Sequence, residues 1–127
     1  PIAVACDPAF NFVYEANIRY LHHLGEVTYF SPLADTSLPD AGFVYLPGGY
    51  PELYLAALSA NRQMLQSIRR YVESGGKLLA ECGGMMYLCD EIRVPLFPSG
   101  GTTESASVLR CCLYCQRSGN GYSALSL

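Results

Sequence analysis

Lys77-Leu78-Leu79-Ala80-Glu81-Cys82-Gly83-Gly84-Met85-Met86-Tyr87-Leu88 decides how the rest of the chain is read. An apolar run from Lys77 to Glu81 reads as a strand, two glycines follow one cysteine, and Met85 to Leu88 reads as a short helix. Working upstream, Glu52 to Val72 carries Leu55, Leu58, Met64, Leu65, Ile68 and Val72 at helical spacing. Pro51 is a first-turn residue there and Gly75-Gly76 a stop, with a break expected near Ser59-Ala60-Asn61. Phe43-Val44-Tyr45-Leu46 makes a strand closed by Pro47-Gly48-Gly49, and Val27-Thr28-Tyr29-Phe30 makes another closed by Ser31-Pro32. Between these two, Ala34 to Gly42 is polar, holds Pro39 and reads as a surface connection. The segment Phe12 to Leu24 places Val13, Ile18, Leu21 and Leu24 on one helical face before Gly25. Ile2-Ala3-Val4-Ala5-Cys6, ahead of Asp7-Pro8, has the continuous apolar character of a strand buried on both faces. Strands alternating with helices predict an α/β fold with a doubly wound, mostly parallel sheet, in which sites form beyond the carboxyl ends of the strands.

Composition narrows the function classes. The chain has 127 residues, 50% of them apolar, which fits one domain with a sizeable core. Its formal net charge is −3, and its eight Lys and Arg are scattered, so a nucleic-acid partner is not expected. No apolar run reaches the ~20 residues of a membrane-spanning helix, and the chain opens on a strand with no secretory signal pattern. A soluble, cytoplasmic protein is expected, and the strand at the first residue suggests a piece of a longer polypeptide. Six cysteines are unevenly placed, three of them at Cys111, Cys112 and Cys115, so free thiols in a reducing compartment are expected over a disulfide scaffold.

A nucleophile on a sharp turn between strand and helix exposes its side chain and crowds the flanking backbone, so the residues two before and two after it must be small. Here they are Ala80 and Gly84. The same turn sets the Gly83 N–H and the start of a helix beside the Cys82 thiol, where they favour the thiolate and can receive a developing oxyanion. The competing reading is a structural cysteine at a strand end. Leu46-Pro47-Gly48-Gly49-Tyr50 is a second strand end whose paired glycines let the backbone approach a ligand and offer it N–H groups. By itself it is equally a plain turn before a helix. Cys6 and Cys89 read as small packed hydrophobes. Cys111-Cys112-x-x-Cys115 lacks the four well-spaced ligands of a structural zinc site, so no metal is expected.

Leu46 to Glu52 (LPGGYPE) and Ala80 to Leu88 (AECGGMMYL) together resemble the glutaminase domain of the cobyrinate a,c-diamide synthase family. The upstream Phe10 to Asn17 and Phe30 to Pro39 (FSPLADTSLP) resemble it in order and spacing. Cobyric acid synthases and general class I amidotransferases share the glycine loop and the cysteine turn but not these upstream segments. The resemblance implies a flavodoxin-like amidotransferase fold and a Cys82 that attacks the glutamine side-chain amide through a thioester. Gly49 and Gly83 would be the oxyanion donors, and Gly48, Tyr50 and Glu52 would hold glutamine, with Asn11 and Tyr14 lining the site or an interface. The implied partners are glutamine and, through a synthetase domain using ATP and Mg²⁺, a corrinoid; no cofactor is implied for this domain.

The chain departs from that family in one respect with chemical consequences. The family carries a catalytic histidine downstream of the cysteine, and this chain has only His22 and His23. They stand about nine residues into a helix running back along the sheet, and at ~1.5 Å per residue this is roughly 13 Å toward its opposite end. Glu81 precedes Cys82 in a strand and points to the other face from Ala80, so it is not expected to act as a base. Residues 1–96 are read as the amidotransferase domain, incomplete at its C-terminus, and residues 97–127 as a divergent tail. A weak element is expected over Ser107 to Tyr114. Three readings stand at this point: the corrinoid-pathway glutaminase, another hydrolase with the same cysteine turn, and a catalytically silent binding domain. Missing elements should leave apolar surface exposed and favour a homodimer or aggregation.

Overall fold

The structure, a computed structural model, describes residues 1–89, 92–93 and 108–109. Four short strands, β1 (Ile2–Ala5), β2 (Val27–Phe30), β3 (Phe43–Leu46) and β4 (Lys77–Ala80), form one sheet in the order β2-β1-β3-β4. Every pairing is parallel: Ile2 lies opposite Val27 and Phe43, and Phe43 opposite Lys77. This is the flavodoxin-like order, with its reversal beside β1. The helices are α1 (Glu15–Leu24), α2 (Leu55–Ala60), α3 (Arg62–Glu73) and α4 (Gly83–Tyr87), with a 3₁₀ turn at Pro51–Leu53. A second, antiparallel pair joins β5 (Ile92–Arg93) to β6 (Val108–Leu109), which falls within the weak element expected there. The Cys111, Cys112 and Cys115 cluster and nearly all of the 97–127 tail lie outside the described residues. No helix among the described residues is long and apolar enough to cross a membrane.

Side chains alternate between two cores. Ala3, Ala5, Val44 and Leu46 face Leu55, Leu58, Met64 and Ile68 of α2 and α3, together with Phe10 and Tyr87. The alanines are what let helices approach the central strand closely. On the other face Ile2, Val4 and Tyr45 meet Ile18 and Leu21 of α1, with Val27 and Phe43 beside them. Each fully enclosed aliphatic side chain is worth about 1.5–3 kcal/mol of transfer free energy.

The helix break expected near Ser59-Ala60-Asn61 falls at Asn61. Its Oδ1 accepts from the Met64 N–H at 3.3 Å, starting α3, while its Nδ2 donates to the Pro32 and Asp35 carbonyls at 2.8 and 2.7 Å. One side chain thus caps a helix and ties it to the loop after β2. Helix α1 begins at Glu15, three residues later than Phe12, because the Phe12 N–H is taken by the Gly48 carbonyl at 3.1 Å and Tyr14 is extended at φ −73°, ψ 128°. The expectation for Cys6 fails. β1 ends at Ala5, so Cys6 stands past the sheet edge with its thiol exposed. Cys89 is half-buried, its thiol 3.4 Å from the Met85 carbonyl. Apolar surface is left open on the α1 face, where Tyr20, Leu24 and Leu79 are exposed along a groove of about 620 Å³.

Candidate functional site

Three loops leave the carboxyl ends of β1, β3 and β4 and converge. The loop after β1 is shaped by Asp7, whose Oδ1 accepts from the Ala9 and Phe10 N–H groups at 2.8 and 3.1 Å. Its Oδ2 accepts from the Ser31 hydroxyl at 2.8 Å and the Leu33 N–H at 3.0 Å, locking this loop to the one after β2. The Ala9 carbonyl in turn accepts from the Tyr50 N–H at 3.0 Å. A Cβ on Gly49 would lie 2.1 Å from that carbonyl, so only glycine fits. Between the Phe12–Gly48 and Tyr50–Ala9 bonds, the paired-glycine loop is stitched down on both sides.

Cys82 is the turn the sequence predicts. It sits at φ 47°, ψ −110°, and among the described residues it is the only non-glycine with positive φ. Such a conformation costs about 1–3 kcal/mol and persists only where the surroundings over-determine it. They do so here. The Glu81 N–H donates to the Leu46 carbonyl at 3.0 Å, the Gly84 N–H to the Glu81 carbonyl at 2.8 Å, and the Met86 N–H to the Cys82 carbonyl at 3.0 Å. A Cβ on Gly84 would lie 2.2 Å from the Leu46 carbonyl oxygen, and one on Gly83 would lie 2.9 Å from the Gly49 nitrogen and oxygen and from Pro51 Cδ. The β4–α4 turn therefore packs backbone on backbone against the loop after β3.

That packing brings Gly83 against the Gly49 backbone, and neither glycine's N–H has an acceptor among the described residues. The Cys82 thiol is exposed. A Cβ built on Gly48 would touch the Cys82 Cβ at 3.5 Å and the Phe12 Cβ at 3.4 Å, so these two side chains flank one glycine. Phe12 also meets Tyr50 edge to face, ring centroids 5.0 Å apart. Phe12 is the site residue that sequence reasoning missed; the signal available was the aromatic pair of Phe10-Asn11-Phe12 in the loop after β1. Tyr50 is exposed at the rim, as are Asn11 and Tyr14. Glu52 lies in the 3₁₀ turn, and its Oε2 is enclosed with no hydrogen-bond partner among the described residues. An enclosed carboxylate oxygen without a donor carries a desolvation cost.

Glu81 is directed to the α1 face, where its Oε2 accepts from the Tyr45 hydroxyl at 2.7 Å. Burial, then that hydrogen bond and the carboxylate's charge, push the Tyr45 phenol up to about 12. The histidines are not brought to the site. His22 and His23 are exposed in the last turn of α1, and the chain after that helix returns to the amino end of β1, the Ile2 N–H donating to the Glu26 carbonyl at 2.7 Å. Among the described residues no group of three or more His, Cys, Asp or Glu is placed to hold a metal ion.

Comparison with known proteins places the chain in a family. Residues 1–116 match the CobB/CobQ-like glutamine amidotransferase domain. The chain is 55% identical over 92 residues to a cobyrinate a,c-diamide synthase of Clostridium acetobutylicum, covering 72% of this chain and 21% of that protein. It is 53% identical over 90 residues to a hydrogenobyrinate a,c-diamide synthase of Pseudomonas aeruginosa, covering 70% and 21%. A cobyrinate a,c-diamide synthase of Methanosarcina barkeri is 47% identical over 108 residues, covering 84% and 22%. The chain thus spans about a fifth of the length of these relatives. No solved structure matches it. The cysteine turn, the paired-glycine loop stitched beneath it and a match running from Pro1 to residue 116 have one common explanation: the chain belongs to the CobB/CobQ-like glutamine amidotransferase domain family.

Proposed function

We propose that this chain is the glutaminase part of a cobyrinate a,c-diamide synthase, with Cys82 as its nucleophile. The observation that carries the reading is the positive φ of Cys82 beside two unpaired glycine N–H groups. In this reaction the thiolate attacks the side-chain amide carbon of glutamine, and the tetrahedral oxyanion is received by the Gly49 and Gly83 N–H groups. Collapse expels ammonia, which takes up a proton as it leaves, and the resulting thioester is hydrolysed by water to glutamate. Gly48 and Tyr50 line the glutamine site. The enclosed Glu52 oxygen suits the α-ammonium of glutamine, a contact that requires the Pro51–Leu53 turn to shift.

The proton acceptor for the thiol is contributed by a part of the longer polypeptide other than these residues, since neither histidine of this chain lies near Cys82. Ammonia then serves ATP- and Mg²⁺-dependent amidation of corrinoid carboxylates by the synthetase part in cobalamin biosynthesis. Exposed Leu79, Leu24 and Tyr20 support self-association of the isolated chain. The distance of both histidines also favours a second reading, a chain that binds glutamine without turning it over.

In the longer polypeptide, Cys82→Ala is expected to abolish glutamine-dependent amidation while sparing synthesis from added ammonia. Glutamine-dependent turnover that survives the substitution contradicts the assignment.

A further inference from the structure

We propose that Tyr45 and Glu81 are a positioning pair for Cys82, the β3 phenol holding the carboxylate of the preceding residue on the α1 face of the sheet and away from the thiol. The inference rests on Cys82 being the reactive thiol, though not on glutamine being its substrate.

Glu81 is the last residue before the strained turn, and it is held at three points. Its N–H donates to the Leu46 carbonyl at 3.0 Å, its carbonyl accepts from the Gly84 N–H at 2.8 Å, and its Oε2 accepts from the Tyr45 hydroxyl at 2.7 Å. The first two bonds belong to the strand end and the helix start. The third is different in kind, because it fixes a side chain. Tyr45 is opposite Leu79 in the β3–β4 register, so its ring runs along the face that Leu79 and Glu81 share. Its body is buried against Ile2 and Val4, which leaves the hydroxyl few other directions.

Without that donor the carboxylate has room to move. Glu81 is exposed, it opens onto the α1-side groove, and its three-bond side chain is attached one residue from the thiol. A negative charge free to approach the thiol disfavours the thiolate, the form that attacks carbon. Tyr45 remains a neutral donor at neutral and mildly alkaline pH, its phenol being pushed up to about 12. The other titratable groups near this edge are Tyr14, at the start of α1 and electrostatically coupled to the phenol, and Glu52, on the 3₁₀ turn packed against α4. Asn17 of α1 lines the same groove as Tyr45 and Glu81. None of these occupies the residue next to Cys82.

The test is the pH profile of Cys82 alkylation by iodoacetamide in the whole chain, read by mass on the peptide that carries Cys82. Tyr45→Phe is expected to move the profile to higher pH and slow alkylation at pH 7 about threefold, the scale of one unit charge at several ångströms in a well-solvated setting. Glu81→Gln removes the charge, and the Tyr45→Phe/Glu81→Gln double variant is expected to behave as Glu81→Gln alone. Glu81→Asp, at an exposed position that spares the core, is too short to reach the hydroxyl and should slow alkylation as Tyr45→Phe does. Equal slowing by Tyr45→Phe in both backgrounds would mark a packing effect and overturn the pair. So would an unchanged profile in Glu81→Asp. If the pair behaves as expected while a glutamine analogue fails to label Cys82, the glutaminase reading fails and the positioning pair stands.

Discussion

On one face of the sheet α2, α3 and α4 close over Ala3, Ala5, Val44 and Leu46, whereas on the other, among the described residues, α1 alone covers Ile2, Val4 and Tyr45, and Leu79 is exposed. The site hangs from the closed face: Gly84 packs on the Leu46 carbonyl, and Gly83 packs on Gly49 and Pro51. Strain at Cys82 needs neighbours that cannot yield, and backbone packed on backbone over a filled core supplies them. The open face has the other property. It exposes Tyr20, Leu24 and Leu79 along a groove, as a parallel sheet does where its cover is incomplete. One face holds geometry, and the other offers surface.

Three perturbations break or sharpen that contrast. The largest effect is expected from Gly84→Val, which forces branched carbon into the Leu46 carbonyl. Overpacking costs about 1–3 kcal/mol where neighbours can give, and more where they are backbone. The expected result is loss of the cooperative urea transition. Next comes a matched pair across the sheet. Leu58→Ala on the closed face should cost about 2–5 kcal/mol by urea denaturation. Leu79→Ser on the open face should change stability by no more than about 0.5 kcal/mol, while reducing self-association in sedimentation velocity. Comparable losses from both would erase the distinction between the faces.

The smallest effect is alkaline. A phenol raised from 10.0 to about 12 on folding stabilises the chain fully below pH 10, and that contribution is lost as pH rises toward 12. Tyr71, raised by burial, acts in the same direction. The urea midpoint should therefore fall between pH 10 and 12, and fall less steeply in Tyr45→Phe.

What could be read from sequence had local causes. All four strands of the sheet follow from short apolar runs closed by proline or glycine turns, and β2 and β3 were placed to the residue. The Cys82 turn was legible because a sharp turn imposes small residues two before and two after it, Ala80 and Gly84, and the loop at Gly48-Gly49 because paired glycines close a strand. Gly84 and Gly49 show why, since a single added carbon meets backbone at either. What escaped depends on partners far along the chain. Phe12 reaches the site through Gly48, Asp7 accepts from Ser31 and Leu33, and Glu81 is held by Tyr45 across the β3–β4 register. The late start of α1 has the same origin, because its first residues are drawn out by Gly48. Cys6 was misplaced by a single residue at the end of β1, enough to turn a core thiol into an exposed one. His22 and His23 were placed correctly, at the far end of α1.

The central claim is that the Cys82 turn is built to receive glutamine, and the most direct measurement is labelling of the longer polypeptide by a diazo-ketone glutamine analogue. Peptide mass mapping is expected to find an adduct on Cys82, suppressed by excess glutamine, with Cys6, which is also exposed, unmodified. Adducts spread over Cys6 and Cys82 alike, or labelling indifferent to glutamine, would contradict it.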